Sequence, residues 1–195
     1  MNLFKKLTLA AVVAAAVSLS AQDGNLIKYG DFENLPAGST SMAASMKKSG
    51  LDINRDPVCL TPGWYVKKNQ PSIKVVDAEK DGKDAVKSGK GAMNVKAQTL
   101  HAYTGNQYSM GTYDISFAYK GKGILYVSLY FYNANGKHLG NSAPKVTIKP
   151  TANWQTFNGK IKITPEKPDT SKARLVFIFV SSDITIDDIV LKPSK

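Results

Sequence analysis

The stretch Gly123–Asn133, GILYVSLYFYN, decides the fold because its side chains alternate between two kinds. One set is purely apolar and comprises Leu125, Val127, Leu129 and Phe131. The other set is amphipathic and comprises Tyr126, Ser128, Tyr130 and Tyr132. Successive side chains of a β-strand point to opposite faces. This pattern therefore predicts a strand with one face in a core and the other face lined with phenol rings.

Shorter runs of similar composition fill the rest of the chain, separated by turns rich in Gly, Pro, Asn and Asp. The other predicted strands are Asn25–Tyr29, Trp64–Lys68, Ile73–Asp77, Ala92–Ala97, Gly111–Lys120, Lys145–Ile148, Gln155–Ile163, Ala173–Ser181 and Ile184–Leu191. Only Gly38–Gly50 has a helix-like composition. Many short strands without alternating helices predict an all-β fold, a two-sheet antiparallel β-sandwich.

The predicted strand before the tyrosines, Gly111–Lys120, also alternates, with polar or small residues at every second position. If the two strands pair, Ser116 and Ala118 lie beside the tyrosines and leave a shallow platform. Tyrosine combines a flat apolar ring with a hydroxyl, which suits a sugar ligand. The candidate ligand-binding residues are therefore Tyr126, Tyr130, Tyr132, Ser128, Ser116 and Asp114.

Two alternatives remain open for these tyrosines. They either cover a half-buried sheet face or pack beneath residues 34–61. Tyr103 and Tyr108 lie in a stretch that contains Gly and Asn. They form a second candidate site, carried by a loop.

The first residues have the pattern of an export signal. Lys5 and Lys6 precede the apolar run Leu7–Val17, and small residues follow at Ser18–Ala21. The run is shorter than the roughly 20 residues that a membrane-spanning helix needs. The sequence therefore predicts a signal peptide at 1–21 and a single domain at 22–195. We expect the mature domain to be secreted, periplasmic or at the cell surface, and the alternative is an uncleaved anchor.

Composition narrows the choice of partners. The formal net charge is +11, and only two of the 26 basic residues are arginines, Arg55 and Arg174. Nucleic-acid readers rely on arginine for bidentate contacts with guanine and phosphate, so we expect no nucleic-acid partner. The scattered lysines are typical of solvated strand faces, and attraction to an acidic polysaccharide is the alternative. The single cysteine, Cys59, cannot form an internal disulfide, so the fold depends on its core.

Short motifs follow one another along residues 22–195. They are Asn25–Glu33 (NLIKYGDFE), Pro62–Trp64, Val86–Ala92, Tyr113–Gly121, Trp154–Phe157 and Ile186–Leu191. In type and order these motifs resemble those of carbohydrate-binding modules of families four, nine and twenty-two, with Tyr29 in place of the usual Asn of the opening motif. Residues 34–61 separate the first two motifs, where the family has a short link. The resemblance implies a galactose-binding-like jelly roll.

The resemblance also implies roles for single residues. Trp64 and Trp154 fall where the family uses tryptophan in packing. Glu33 and Asp187 would be the carboxylate ligands of a structural Ca²⁺ ion, joined by backbone carbonyls. The alternative for both carboxylates is hydrogen bonding to turn amides or to a lysine. Neighbours on a strand alternate faces, so Asp188 would point away from Asp187.

The residue types argue against an enzyme. A glycosidase needs two carboxylates about 5–10 Å apart, whereas Glu33, Glu79 and Glu166 are widely separated in the sequence. A polysaccharide lyase needs an arginine or a metal beside a His or Tyr base. His101 lies near Tyr103 in the sequence, but the two arginines offer no cluster. No Ser/His/Asp, Cys/His or zinc spacing is present either, so we predict no catalytic residues.

These observations predict a secreted, non-catalytic carbohydrate-binding protein that recognises a poly- or oligosaccharide on a sheet face or groove. One alternative is a structural or adhesive surface protein that binds another protein, because fold alone does not decide function. A jelly-roll polysaccharide lyase or glycosidase is a further alternative.

Overall fold

The computed structural model describes residues 24–27, 30–33, 58–61, 64–66 and 73–195. The predicted signal peptide at 1–21, the helix-like segment Gly38–Gly50 and most of residues 34–61 lie outside this part of the chain. Cys59 lies on a described strand, but its side chain is outside the description. Among the described residues, no helix is long and apolar enough to cross a membrane.

Ten strands form the described structure. They are β1 (Val58–Thr61), β2 (Trp64–Val66), β3 (Ile73–Asp77), β4 (Gly91–Thr104), β5 (Tyr108–Ser109), β6 (Gly111–Tyr132), β7 (His138–Asn141), β8 (Val146–Ile148), β9 (Gln155–Ile163) and β10 (Lys172–Pro193). A single short helix, α1 (Ala78–Asp81), follows β3, and a 3₁₀ turn covers Lys83–Ala85. Asp77 caps α1, because its carboxylate accepts a hydrogen bond from the amide of Glu79 at 2.8 Å.

Three long antiparallel strands, β4, β6 and β10, run through both layers of the sandwich. Their first or second halves pair with different short strands, so hydrogen bonding is continuous in the order β1-β2-β4-β10-β6-β7. One layer, the front sheet, joins the second halves of β4 and β6 and the first half of β10 to β1, β2, β7 and β8. The other layer, the back sheet, joins the opposite halves to β3 and β9. The layers meet where Phe117 contacts Phe177 edge-to-face at 5.5 Å.

The long strands bend between layers at one level of the molecule. Gly121 and Gly123 have φ of 126° and 109°, and the register of β10 slips between Val180 and Asp183. A Cβ on Gly121 would lie 2.0 Å from the carbonyl oxygen of Asp183, so the approach of the backbones requires glycine.

Because of this bend, Gly111–Lys120 does not pair with Gly123–Asn133 as predicted. The two segments are halves of one strand, β6, and they pair with β9 and with β7 and β8 respectively. The expectation that Ser116 and Ala118 lie beside the tyrosines is therefore wrong. Side chains still alternate between core and solvent on each side of the bend. The residues before the bend, however, belong to a different sheet from those after it.

The core lies between the sheets and contains the apolar set read from the sequence. Leu125, Val127, Leu129 and Phe131 are each fully buried. Trp64 is also fully buried and packs against Phe32 at 5.7 Å and Phe177 at 5.6 Å. Trp154 is partly buried against a small second cluster, and its Nε1 donates to the Asp84 carbonyl at 3.1 Å. Both tryptophans thus act in packing, as expected.

The N-terminal motif differs from its prediction as a strand. The described residues of Asn25–Tyr29 lie alongside β10 without forming a ladder. The Asn25 side chain takes the place of ladder bonds, since its Oδ1 accepts from the Leu191 amide and its Nδ2 donates to the Ile189 carbonyl, each at 3.0 Å. Strands β1, β5 and β7, of two to four residues each, were not predicted.

Candidate functional site

The outer surface of the front sheet carries a cluster that we call the aromatic face. It comprises His101 and Tyr103 of β4, Arg174 of β10, Tyr126, Tyr130 and Tyr132 of β6, and His138 of β7. Strand register brings these residues together: Arg174 pairs with Tyr130, and Tyr132 pairs with His138. Six of them are one position away from a buried core residue, and His138 precedes the partly buried Leu139, so alternation places all of them on the side opposite the core.

Arg174 lies in the middle of this face between two phenol rings. Its guanidinium carbon is 5.4 Å from the centre of the Tyr103 ring and 5.3 Å from that of Tyr132. Both distances fall within the range of a cation–π contact. The Nε of Arg174 is buried and has no hydrogen-bond acceptor among the described residues. The rings therefore hold the guanidinium in place while part of its donor capacity stays unused.

Tyr130 and His101 form a bridge across β10. The Tyr130 hydroxyl is hydrogen-bonded to Nδ1 of His101 at 2.6 Å. Val176, which pairs with Tyr103 on one side and Ser128 on the other, is completely buried beneath this bridge. Burial raises the pKa of Tyr130, and the neighbouring phenols of Tyr132 and Tyr103 add to the rise. Tyr130 is thus a protonated hydroxyl at neutral pH with a fixed orientation.

His138 closes the edge of the face on β7. Its ring centre is 5.2 Å from that of Tyr130 and 5.4 Å from that of Tyr132. Its Nε2 is hydrogen-bonded to Oδ1 of Asn141 at 3.0 Å. The imidazole extends the row of rings to the exposed end of β7.

The structure brings together four of the six candidate ligand-binding residues. Tyr126, Tyr130 and Tyr132 lie on the aromatic face and are partly exposed. Ser128 has the same orientation but is only 2% exposed, so it forms part of the floor.

Ser116 and Asp114 lie on the outer side of the back sheet, away from the tyrosines. Ser116 pairs with Asn158 of β9 and with Val190 of β10. Asp114 forms an exposed ion pair with Lys160 at 2.8 Å and accepts a hydrogen bond from Ser194. These two bonds lower the pKa of the Asp114 carboxyl. The structure therefore separates both residues from the face to which they were assigned.

The second predicted pair, Tyr103 and Tyr108, is also divided. Tyr103 belongs to β4 and lies on the aromatic face, not on a loop. Tyr108 is only 4% exposed and packs against Tyr113 in the core, so its assignment to a loop-borne site is wrong.

Sequence reasoning missed Arg174 and His138 as members of the face. A usable indication existed for Arg174, because it alternates with the apolar residues Ala173, Leu175 and Phe177. That alternation gives its side of the sheet but not its neighbours, which depend on strand order.

The chain ends meet at a second cluster, the junction, formed by Asn25, Gly30, Glu33 and Asp187 around the turn Lys87–Gly91. The Glu33 carboxylate accepts the Lys90 amide at 2.8 Å and the Gly91 amide at 3.3 Å. The fully buried Asp187 carboxylate accepts the Lys87 and Ser88 amides at 2.9 and 3.2 Å. The bonding to turn amides foreseen as an alternative for both residues is therefore present.

Asp188 does not point away from Asp187 as predicted. Its Oδ1 accepts a hydrogen bond at 2.7 Å from the Ser88 hydroxyl, whose own amide is bonded to Asp187. The reason is a bulge, since the register of β10 slips between Asp187 and Val190 and Asp188 has φ of 50°. Burial raises the pKa of Asp187 to about 7, and the adjacent Asp188 carboxylate adds to the rise.

The junction offers oxygen ligands of the kind that Ca²⁺ prefers. Oδ1 of Asp187 and Oε2 of Glu33 each accept a single hydrogen bond, so each oxygen retains a lone pair. Two hard carboxylates from separate segments therefore reach the same turn, and burial leaves the charge of one poorly solvated. The donor types fit Ca²⁺, although no group of three His, Cys, Asp or Glu occurs at metal-binding distance among the described residues.

Solved structures share this architecture. The chain aligns over 92% of its length, at a TM-score of 0.54 and 14% identity, with the N-terminal CBM22-1–CBM22-2 tandem domain of Paenibacillus barcinonensis Xyn10C, covering 47% of it. It aligns over 87% of its length, at 0.54 and 16% identity, with the arabinose-bound MgGH51 α-L-arabinofuranosidase, covering 26% of it. A third match, at 0.50 and 16% identity over 68% of this chain, is the CBM22-1–GH10 part of Clostridium thermocellum xylanase 10B with xylohexaose, of which 26% is covered.

These likenesses concern the fold. At such identities they confirm the predicted jelly-roll β-sandwich, and fold does not by itself assign function. The chain spans less than half of each of these three structures. No protein-family model and no curated protein matches the sequence.

Proposed function

We propose that the protein is an exported, non-catalytic carbohydrate-binding protein that takes a poly- or oligosaccharide on its aromatic face. The observation that carries this proposal is the row of partly exposed rings around Arg174 on the side of a sheet opposite the core. Such rings offer apolar surface to the C–H faces of a sugar, and the hydroxyl, imidazole and guanidinium groups between them can bond its hydroxyls. Two larger proteins, each with a part of similar fold, were solved in complex with xylohexaose and with arabinose, and this supports a sugar ligand.

The placement of the carboxylates supports a non-hydrolytic role. Hydrolysis of a glycosidic bond uses two carboxyl groups about 5–10 Å apart across the bond. Glu33 is bonded to the junction turn, Glu79 pairs with Lys90, and Glu166 pairs with Lys145. None of these groups belongs to the aromatic face.

Retardation in affinity gels, with neutral and uronate-containing polysaccharides, tests the proposal. We expect one glycan class to retard the protein and the Tyr103→Ala/Tyr132→Ala variant to lose that retardation. Tyr119→Ala is the matched control, because it removes a partly buried ring from the back sheet. Melting curves must show that both variants are folded. Retardation that survives the double substitution would remove the site, and a protein retarded by no glycan would remove the function.

The aromatic face also favours a second candidate, β-elimination of a uronate polymer. The sequence showed no arginine close to a His or Tyr base, as a polysaccharide lyase requires. In the structure, Arg174 lies beside Tyr132, and Tyr130 is hydrogen-bonded to His101. In that reaction a base removes the C5 proton, the C4–O bond breaks, a C4=C5 double bond forms and an acid protonates the leaving oxygen. Arg174 would stabilise the enolate, and the Tyr130–His101 pair would exchange the protons. Formation of unsaturated ends from polygalacturonate, absent in Tyr130→Phe, would establish it, and intact polymer would refute it.

We further propose that a structural Ca²⁺ ion is held at the junction by Glu33 and Asp187. A cation there would compensate the charge of the buried Asp187 carboxylate and link the N-terminal motif to β10. EDTA is expected to lower the melting temperature of the protein and Ca²⁺ to restore it, and a Glu33→Gln variant is expected to lose this response. An identical melting temperature in both solutions would rule the ion out.

Export depends on residues 1–21, which precede the described residues. N-terminal sequencing of the protein recovered outside the cytoplasm of its host is expected to start near Gln22. Recovery with Met1 intact would contradict cleavage.

A further inference from the structure

We propose that the ligand of the aromatic face is an anionic glycan and that Arg174 binds its carboxylate or sulfate group. This inference rests on the proposed function and specifies the class of sugar. It starts from Arg174, the one described arginine, which is partly exposed and forms no ion pair with a described carboxylate. Its Nε is buried, so the exposed part of the guanidinium is what can take an anionic acceptor from a ligand.

The described strands of the front sheet offer Arg174 no counter-charge. On the described front-sheet strands, the charged or ionisable side chains beside Arg174 on the face are His101, His138, Lys172 and the tyrosines. The nearest ion pair in the sequence, Lys145 with Glu166, satisfies its own charges. The field over the face is therefore positive, and the net charge of +11 for the whole chain has the same sign.

The contacts of Arg174 also favour a planar anion. Tyr103 and Tyr132 lie 5.4 and 5.3 Å from the guanidinium carbon and restrict its rotation. A guanidinium held in this way presents its N–H groups as a fork that matches the two oxygens of a carboxylate or a sulfate. The same rings can stack on the sugar that carries the anion. A neutral sugar would use the rings but would leave the charge of Arg174 unpaired.

Matched ligands test the charge directly. Polygalacturonate is compared with its methyl ester, and a sulfated galactan with its desulfated form, so that each pair differs in the anion alone. We expect the protein to bind at least one anionic polymer about tenfold or more tightly than its neutral partner. The pair that shows the difference identifies carboxylate or sulfate as the recognised group.

Variants then test whether Arg174 is the residue that causes the preference for the anionic polymer. Arg174→Ala is expected to remove the preference for the anionic member, and Arg174→Lys to recover only part of it because an ammonium lacks the fork. Lys162→Ala, which removes an exposed charge from β9 of the back sheet, is the matched control and is expected to keep the preference. Melting curves check that each variant is folded.

The failures of the two proposals are distinguishable. Equal binding of charged and neutral polymers, unchanged in Arg174→Ala, would leave a carbohydrate-binding protein and overturn this inference. A preference that Lys162→Ala reduces as much as Arg174→Ala would also overturn it, since diffuse charge would then be sufficient. Binding to none of the four polymers would overturn this inference, and it would overturn the proposed function as well only if no polysaccharide in the affinity gels retards the protein.

Discussion

The junction and the aromatic face differ in how their residues appear in the sequence. Each junction residue has a structural partner a few ångströms away: Asn25 bonds β10, and a Cβ on Gly30 would lie 2.1 Å from the Ile189 carbonyl oxygen. Asn25, Gly30 and Glu33 belong to the opening motif NLIKYGDFE, and Asp187 belongs to the closing motif Ile186–Leu191. The residues of the aromatic face belong to no such motif and come from strands far apart in the chain. The recognisable pattern therefore marks what holds the fold, while the candidate site lies elsewhere.

The two regions also use polar groups differently. At the junction, the carboxylates of Glu33 and Asp187 accept hydrogen bonds from backbone amides. On the aromatic face, Arg174 keeps a buried donor unpaired, and its charge contacts ring faces rather than a carboxylate. Satisfied polar groups rigidify a structure, whereas a charge without a counter-ion in the protein favours an anionic ligand.

The largest expected effect is a loss of stability that affects the junction and the aromatic face together. Trp64→Ala removes a fully buried ring that packs against Phe32 of the motif and Phe177 of the front sheet. We expect a loss of about 3–5 kcal/mol in the free energy of unfolding, measured by urea denaturation. Trp154→Ala, which removes a partly buried ring, is the comparison and should cost less. The reverse ranking would contradict the described core.

A smaller loss of stability is expected from a substitution that affects the junction but not the aromatic face. Asn25→Ala deletes three hydrogen bonds, to Ile27, Ile189 and Leu191, and leaves backbone groups of β10 unpaired. We expect about 2 kcal/mol of destabilisation, with glycan binding unchanged at a temperature where the variant is folded. Asn106→Ala, which deletes the single bond to the Leu26 carbonyl, is the graded control. Loss of binding in folded Asn25→Ala would show that the regions are coupled.

A change on the aromatic face itself should be milder. Tyr130→Phe keeps the ring and removes only the hydroxyl that is bonded to His101 at 2.6 Å. Its expected cost is about 1 kcal/mol of stability by thermal or urea unfolding. Tyr126→Phe, on the same strand and face, serves as the control. An equal cost for the two substitutions would argue against the bridge across β10.

The smallest effect concerns the two residues that the structure moves away from the face. Ser116→Ala/Asp114→Ala is expected to change glycan affinity by less than about twofold, because both side chains lie on the back sheet. Affinity gels run beside Tyr103→Ala/Tyr132→Ala provide the comparison. A strong loss of binding in the Ser116/Asp114 variant would place the ligand on the opposite sheet.

Much of the fold was predictable because it rests on local patterns. Alternation in Gly123–Asn133 separated the buried residues from the tyrosines correctly, and the family-like motifs placed Trp64 in the core. The same patterns failed at the bend, where Gly121 and Gly123 divide one strand between two sheets. They failed again at Asp188, where a bulge reverses the side chain that alternation assigns.

By itself the sequence determined the class of fold, the faces of single strands and the residues that hold the chain ends together. Each of these depends on periodicity or on a short motif, which is local information. Only the tertiary structure decided that Tyr103, Tyr132 and Arg174 share one face and that Ser116 and Asp114 do not. The physical reason is that strand order and register arise from packing two sheets around a common core, so neighbours across strands are set by the whole chain.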